Sequence, residues 1–85
     1  MEWEYLSEVE EKVDEIRNKA LVKVHAINPD IYVVVDNRTL DDYCEKQWDY
    51  PGQWYCFFRL PNDVRSEDEL IDKIVKETLA SFKNH

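Results

Sequence analysis

Carboxylates are the most abundant reactive side chains of this sequence, and they are concentrated at its beginning. Seven of them precede residue 16, against a single base, Lys12. They are Glu2, Glu4, Glu8, Glu10, Glu11, Asp14 and Glu15. On a helix, the spacing i, i+4, i+7, i+11 places Glu4, Glu8, Glu11 and Glu15 on one face. We call these four, with the flanking Glu10 and Asp14, the acidic stripe.

A row of carboxylates can bind a cationic surface. It can also imitate a row of phosphates, whose charge dominates the affinity of proteins for duplex DNA. The alternative is a plain solvated helix face, because the helix macrodipole favours acids near a helix start and bases near its end. That rule explains Glu2 and Glu4, and also Arg17 and Lys19, but not the acids up to Glu15. Both interpretations remain open.

Aromatic residues form a second concentration, with seven of the eleven lying between positions 43 and 58. Alternation along a strand that starts at Trp54 places Tyr55 and Phe57 on the opposite face, so a two-layer fold cannot bury all of them. Either a short helix over 39–47 covers the second face, or that face is an interface for a partner or a second copy. The predicted aromatic interface comprises Tyr32, Trp48, Tyr50, Tyr55 and Phe57.

The other polar residues show no pattern typical of catalysis. One glycine, Gly52, is too few for a phosphate-binding loop. The acids between 36 and 49 lack the EF-hand spacing, so no metal site is predicted. His25 is expected on the face opposite Cys56, and a buried cysteine usually acts as a small hydrophobic residue, so no Cys–His nucleophile is predicted. Lys23, His25 and Arg59 could hold a nucleic acid strand, but a net charge of -8 opposes it. A non-enzymatic protein without cofactor or direct nucleic-acid contact is expected.

The composition is typical of one folded domain. The chain has 85 residues, of which 44% are hydrophobic and 13% aromatic, too many for a disordered acidic tail. A membrane span requires about 20 consecutive apolar residues, and no such run occurs. The acidic beginning lacks the apolar region of a signal peptide. We therefore expect a single compact domain over 1–85, located in the cytoplasm.

Apolar periodicity and turn residues predict the elements that position these side chains. They are a helix over 2–20, strands over 21–28 and 31–36, a short helix over 39–47, a strand over 54–60 and a helix over 66–83. Ser7 with Glu10 could form a capping box, so the first helix could instead begin there. Asn28-Pro29-Asp30 predicts a turn between the first two strands. Thr39 with Asp42, and Ser66 with Glu69, predict helix caps.

The predicted fold class is α+β, in the order α-β-β-(short α)-β-α. The simplest arrangement of these elements is a small three-stranded antiparallel sheet with the two long helices packed on one face, a two-layer sandwich. Trp54, Cys56 and Phe58 would point into its core. Because the strands alternate, Tyr55 and Phe57 would point away from it.

In size and charge the chain resembles the small acidic proteins by which bacteriophages disable host machinery, including DNA mimics and some anti-CRISPR proteins. The resemblance is carried by the acidic stripe, the three acids at 67–69 and the near absence of glycine. Some members share an α-β-β-β-α order. The resemblance implies a non-enzymatic inhibitor in the host cytoplasm. Its implied partner is a nucleic-acid-binding host protein, whose basic surface it would occupy.

Two other classes of protein remain open. An immunity protein or antitoxin that blocks a basic nuclease needs the same acidic surface, because steered association over a cationic groove follows the same physics. A small structural or assembly protein would instead oligomerise through the aromatic interface, and its charge would only keep it in solution.

Overall fold

A computed structural model describes residues 7–49 and 52–83 of the chain. The elements are helix α1 (Ser7–Ile27), a 3-10 helix (Leu40–Tyr43), strand β1 (Cys44–Asp49), strand β2 (Gln53–Phe58) and helix α2 (Glu67–Lys83). The α+β class is therefore confirmed. A third strand and a two-layer sandwich are not confirmed, because the sheet within these residues has two antiparallel strands.

Helix α1 continues to Ile27, through all but the last residue of the first predicted strand, 21–28. Its buried side chains recur three or four residues apart: Val9, Val13, Ile16, Ala20 and Val24. A strand would place Val22 and Ala26 on the same face as the buried Val24, yet both are exposed. The strand prediction was wrong because β propensity depends on context, and burial of the helical stripe overrides the strand preference of Val22 and Val24. Residues 2–6 of the predicted helix lie outside the described residues.

The predicted second strand, 31–36, has no regular secondary structure. The predicted turn before it is present, since the Asn28 carbonyl accepts a hydrogen bond from the Ile31 amide at 3.1 Å. The Asn28 side chain also accepts one from the Asp30 amide, at 3.1 Å. This turn leads out of a helix rather than between two strands. Because residues 21–27 are helical, the segment 31–36 lacks the strand with which it was expected to pair.

One 3-10 turn stands in place of the predicted helix over 39–47. The predicted cap exists, because the Thr39 amide donates to the Asp42 carboxylate at 2.9 Å. The turn ends at Tyr43, since residues from Cys44 onward pair with β2. Cys44 and Trp48 are four residues apart, a spacing that places two side chains on one face of a helix. The same spacing also places them on one face of a strand, because strand side chains alternate every two residues.

The hairpin of β1 and β2 confirms the predicted strand over 54–60, although β2 ends two residues earlier, at Phe58. Its register pairs Cys44 with Phe58 and Trp48 with Trp54. Gly52, between the two strands, has a φ of 122°, a conformation that residues with a side chain rarely adopt. The hairpin lies beside the N-terminal half of α1, where the Lys12 ammonium is 6.0 Å from the Phe58 ring centroid.

Helix α2 begins and ends where the sequence predicted. The Ser66 hydroxyl accepts a hydrogen bond from the Glu69 amide at 3.1 Å, and the Glu69 carboxylate accepts one from the Arg65 amide at 3.2 Å. In a standard capping box the Glu69 carboxylate would accept from the Ser66 amide, whereas here it accepts from the amide of the preceding residue, Arg65. The helix buries Leu70, Ile71, Ile74, Val75 and Thr78.

The two helices lie side by side and run in the same direction. Lys12 in the first half of α1 contacts Glu67 at the start of α2, at 3.2 Å. Lys23 in the second half contacts Asp72, at 3.4 Å. Their apolar stripes form one core with Ile31, Tyr43, Cys44, Cys56 and Val64. Within the described ranges, neither helix is long and apolar enough to cross a membrane.

Candidate binding surfaces

The described part of the acidic stripe lies on the exposed side of α1. Glu8, Glu10, Glu11, Asp14 and Glu15 are all exposed, because the buried stripe of valine, isoleucine and alanine turns them away from the core. Glu4 lies outside the described residues. The exposed position of this surface follows directly from the helical period.

Each lysine and arginine of α1 is already paired with an acid. The pairs are Lys12–Glu67 (3.2 Å), Arg17–Asp36 (3.2 Å), Lys19–Glu15 (3.2 Å) and Lys23–Asp72 (3.4 Å). None of these cations pairs with Glu8, Glu10, Glu11 or Asp14. Those four carboxylates, which we call the unpaired acids, make no ion pair with any described residue. Their charge is therefore open to a partner.

Glu15 differs from the rest of the acidic stripe. The Lys19 ammonium is 3.2 Å from one of its carboxylate oxygens and the Lys12 ammonium is 3.8 Å from the other. The hydrogen bond from Lys19, followed by the charge of Lys12, lowers the pKa of Glu15. The i, i+4 spacing of Glu15 and Lys19 was visible in the sequence and is the signal that could have separated Glu15 from the other acids.

The unpaired acids are densely spaced. A helix rises 1.5 Å per residue, so the six steps from Glu8 to Asp14 cover about 9 Å, or roughly one negative charge per 2 Å of axis. Duplex DNA carries one charge per about 1.7 Å of its axis. The linear charge density of this short surface is therefore comparable to that of a nucleic acid.

The predicted aromatic interface is divided between two places. Trp48 is 58% exposed and packs edge-on against Trp54, with ring centroids 5.0 Å apart. On the other face of the hairpin, the rings of Tyr55 and Phe57 are 6.5 Å apart. Tyr32 instead lies at the C-terminal end of α1, with its ring 5.6 Å from that of His25. Tyr50 is outside the described residues.

A buried polar cluster, which no pattern in the sequence indicates, surrounds Asp36, whose side chain is 3% exposed. One carboxylate oxygen accepts hydrogen bonds from the amide and the guanidinium of Arg38, both at 3.1 Å. The other accepts from Arg17 at 3.2 Å and from the Tyr43 hydroxyl. We call Asp36, Arg38, Arg17 and Tyr43 the polar cluster. Arg17 is 19 residues from Asp36, and no sequence period connects them.

The polar cluster shifts the protonation of its members in opposite directions. Burial alone would raise the pKa of Asp36, but the hydrogen bonds from Tyr43, Arg38 and Arg17 outweigh it, and the pKa lies below its ordinary value. Burial, together with the hydrogen bond to Asp36, raises the pKa of Tyr43. Asp36 therefore stays ionised and Tyr43 stays protonated at neutral pH. The hydrogen bonds of this cluster hold the segment that follows α1 in place.

A cleft of about 410 Å³ lies beside the polar cluster, lined by Arg38, Arg59, Asp42, Asp63 and Glu77 among others. Its principal cation is already engaged, because the Arg38 guanidinium contacts Asp63 at 3.0 Å and Glu77 at 3.4 Å. Across residues 7–49 and 52–83, no three His, Cys, Asp or Glu side chains are placed to hold a metal ion.

No protein-family model, curated protein or solved structure matches this chain.

Proposed function

We propose that the protein is a non-enzymatic acidic inhibitor that binds the basic surface of a nucleic-acid-binding protein through the N-terminal half of α1. The observation that carries this proposal is the unpaired acids, Glu8, Glu10, Glu11 and Asp14. They are exposed, while every cation of the same helix is engaged elsewhere. An ordinary solvated helix face would be expected to use Lys12 or Lys19 to neutralise them.

Electrostatic complementarity of this kind acts mainly on partner choice and on the rate of association. A net charge of -8 steers a cationic surface towards the protein and repels nucleic acid. Exposed charges are screened beyond about 8 Å at physiological salt. Binding through the unpaired acids is therefore expected to weaken strongly as salt is raised.

The test compares two variants with the same net charge. The first, Glu8→Gln with Glu11→Gln and Asp14→Asn, removes three unpaired acids and changes the net charge from -8 to -5. The matched control changes three other exposed acids, Asp30→Asn, Glu45→Gln and Asp68→Asn, with the same effect on net charge.

Each protein is immobilised and exposed to a lysate of the cells that carry the gene, at low and at high salt. The proposal expects recovery of a basic nucleic-acid-binding protein that is lost at high salt and lost with the first variant only. The recovered protein should release its nucleic acid when the acidic protein is added. Equal loss with both variants would show that only the net charge matters, and would reject a specific surface on α1.

An immunity protein or antitoxin that covers a basic nuclease would use the same surface, and the identity of the recovered protein decides between the two. A second candidate, an assembly protein, is favoured by the hairpin, where Trp48, Trp54 and Phe57 are exposed. Tyr55→Ser with Phe57→Ser should then reduce the sedimentation coefficient. A monomer before and after the substitutions would exclude assembly through the hairpin.

A further inference from the structure

The C-terminal ends of α1 and α2 enclose an apolar groove. Its volume is about 560 Å³, within the range typical of binding sites, and we call it the distal groove. Ile31, which is 3% exposed, lines it together with Leu79 and Ala80. Ile27 and Phe82 line it as well, and they are 65% and 36% exposed. Exposed apolar surface of this kind marks a place where another molecule binds.

Two lysines of α2, Lys76 and Lys83, also line the distal groove, and we call them the groove lysines. They are seven residues apart, which places them on one face of the helix and about 10 Å apart along its axis. Neither makes an ion pair with any described residue, unlike Lys73, which contacts Asp63 at 3.2 Å. The macrodipole accounts for Lys83 at the end of α2, but not for Lys76 in its middle. The groove therefore combines apolar surface with two cations that carboxylates can reach.

The complementary chemistry occurs in the first six residues of the same sequence. Met-Glu-Trp-Glu-Tyr-Leu contains four apolar or aromatic side chains and two carboxylates, Glu2 and Glu4, with no base. We call residues 1–6 the N-terminal segment. Trp3 and Tyr5 belong to the residue types that contribute most to binding at interfaces. An occupant of the distal groove must bring apolar side chains and negative charge together, and this segment brings both.

The N-terminal segment cannot reach the distal groove of its own chain. It joins α1 at Ser7, whereas the groove is lined by Ile27, 20 residues further along the same helix. At 1.5 Å per residue, this distance is about 30 Å. Six residues span at most about 21 Å even when the chain is fully extended. Docking of this segment in a distal groove therefore requires a second copy.

We propose that two copies of this chain form an antiparallel dimer in which the N-terminal segment of each copy occupies the distal groove of the other. Trp3 and Tyr5 cover the apolar lining, while Glu2 and Glu4 pair with the groove lysines. The distance between segment and groove is the same in both copies. A two-fold axis therefore brings both segments to both grooves at once and closes the assembly.

The distribution of charge along α1 favours the antiparallel orientation. The second half of the helix, residues 16–27, contains Arg17, Lys19 and Lys23 and no acid. An antiparallel dimer directs the acidic half of each α1 towards this half of the other copy. A parallel dimer would bring the two acidic halves together, and like charges would oppose it.

The buried area is sufficient for a specific dimer. An aromatic side chain buries about 150 to 250 Å². Trp3 and Tyr5 of both copies would therefore remove about 600 to 1,000 Å² of their own surface from water, and the grooves that they cover would lose a comparable area. The sum reaches the range of about 1,200 to 2,000 Å² that specific, stable interfaces bury.

Charge reversal on each side of the contact tests the proposal in the full chain. Lys76→Glu with Lys83→Glu is the groove variant, and Glu2→Lys with Glu4→Lys is the segment variant. Sedimentation velocity from about 1 µM to about 1 mM should show a monomer–dimer equilibrium for the unsubstituted protein. Either variant alone should weaken the dimer at least about tenfold, because four attractive pairs become repulsive. An equimolar mixture of the two variants should restore it, since each segment again meets a groove of opposite charge.

The matched control is Arg59→Glu with Arg65→Glu, two exposed bases outside the distal groove. Like the groove variant, it changes the net charge from -8 to -12. Circular dichroism establishes that each variant is folded, which is expected because the groove lysines are exposed. A carbodiimide joins a carboxylate to a contacting ammonium. In a mixture of isotope-labelled and unlabelled protein, it should link Glu2 or Glu4 of one copy to a groove lysine of the other.

A monomer throughout the concentration range would overturn the proposal. So would equal weakening by the groove variant and the control, or a mixture of variants that stays monomeric. A dimer that resists the groove variant but is lost with Tyr55→Ser and Phe57→Ser would place the contact on the hairpin and would equally reject the distal groove. Every variant retains the unpaired acids, so these results are independent of the proposed function.

Discussion

Replacing Asp36 by asparagine should destabilise the protein strongly, because the substitution keeps the shape of the side chain while removing its charge. The carboxylate is 3% exposed and accepts four hydrogen bonds. Both oxygens accept, one from Arg38 twice and the other from Arg17 and Tyr43. An asparagine has only one accepting oxygen. Its NH2 group would replace the other oxygen and would face two hydrogen-bond donors, with which it cannot bond.

The expected loss follows from this count. Two of the four hydrogen bonds are lost, and a hydrogen bond to a charged group contributes about 1.5 kcal/mol or more, so the free energy of unfolding should fall by about 3 kcal/mol. The same figure lies at the lower end of the cost of breaking a buried ion pair. For a domain of this size it corresponds to a decrease in Tm of roughly 15 °C.

Thermal unfolding followed by circular dichroism, at neutral pH and in acid, measures the effect. Asp63→Asn is the matched control, because Asp63 also contacts Arg38, at 3.0 Å, but its side chain is 54% exposed. An exposed ion pair contributes less than about 1 kcal/mol. Equal losses for the two variants, or a loss under about 1 kcal/mol for Asp36→Asn, would refute the view that burial makes this carboxylate important.

The direction of the pKa shift gives a second readout. Asp36 has a lowered pKa in the folded state. Its contribution to stability is therefore present above the ordinary aspartate pKa and is lost as the pH falls through the lower, folded value. The stability of Asp36→Asn should consequently fall less steeply in acid than that of the unsubstituted protein. Parallel acid limbs would contradict the shift.

Three further results are expected. Thr78→Val should cost about 1 to 2 kcal/mol by leaving the Val35 amide without its acceptor, whereas Thr78→Ser should cost less; chemical denaturation measures both. Gly52→Ala should cost about 1 to 3 kcal/mol in the same assay, because its φ of 122° strains any side chain. Cys44 should resist alkylation of the folded protein near pH 8, since burial, and then the neighbouring Cys56 thiol, raises its pKa to about 11; rapid alkylation would contradict this.

The two helices were predictable because each has one strong signal. The stripe from Val9 to Ala20 has an unambiguous helical period, and Ser66 with Glu69 forms a capping box that the structure contains. The exposure of the acidic stripe followed from the same period. The helical period could not show which carboxylates form ion pairs. Lys12, for example, pairs with Glu67, which is far from it along the chain.

The strands were predicted less well because short apolar patterns fit more than one period. Val22 and Val24 suited a strand, but the helix buries Val24 alone. The four-residue spacing of Cys44 and Trp48 favoured a helix, but both residues lie in strand β1. The polar cluster was not predictable, since Arg17 and Asp36 are brought together only by the path of the chain between the helices.

The parallel packing of α1 and α2 has a consequence for synthesis. The ion pairs between them join positions far apart along the chain, such as Lys23 with Asp72, which are separated by 49 residues. The ribosome makes α1 first, so its apolar stripe has no helical cover until α2 emerges. Long-range closure of this kind slows folding and prolongs the exposure of apolar surface. During that interval, the negative charge of the nascent chain is expected to keep neighbouring chains apart.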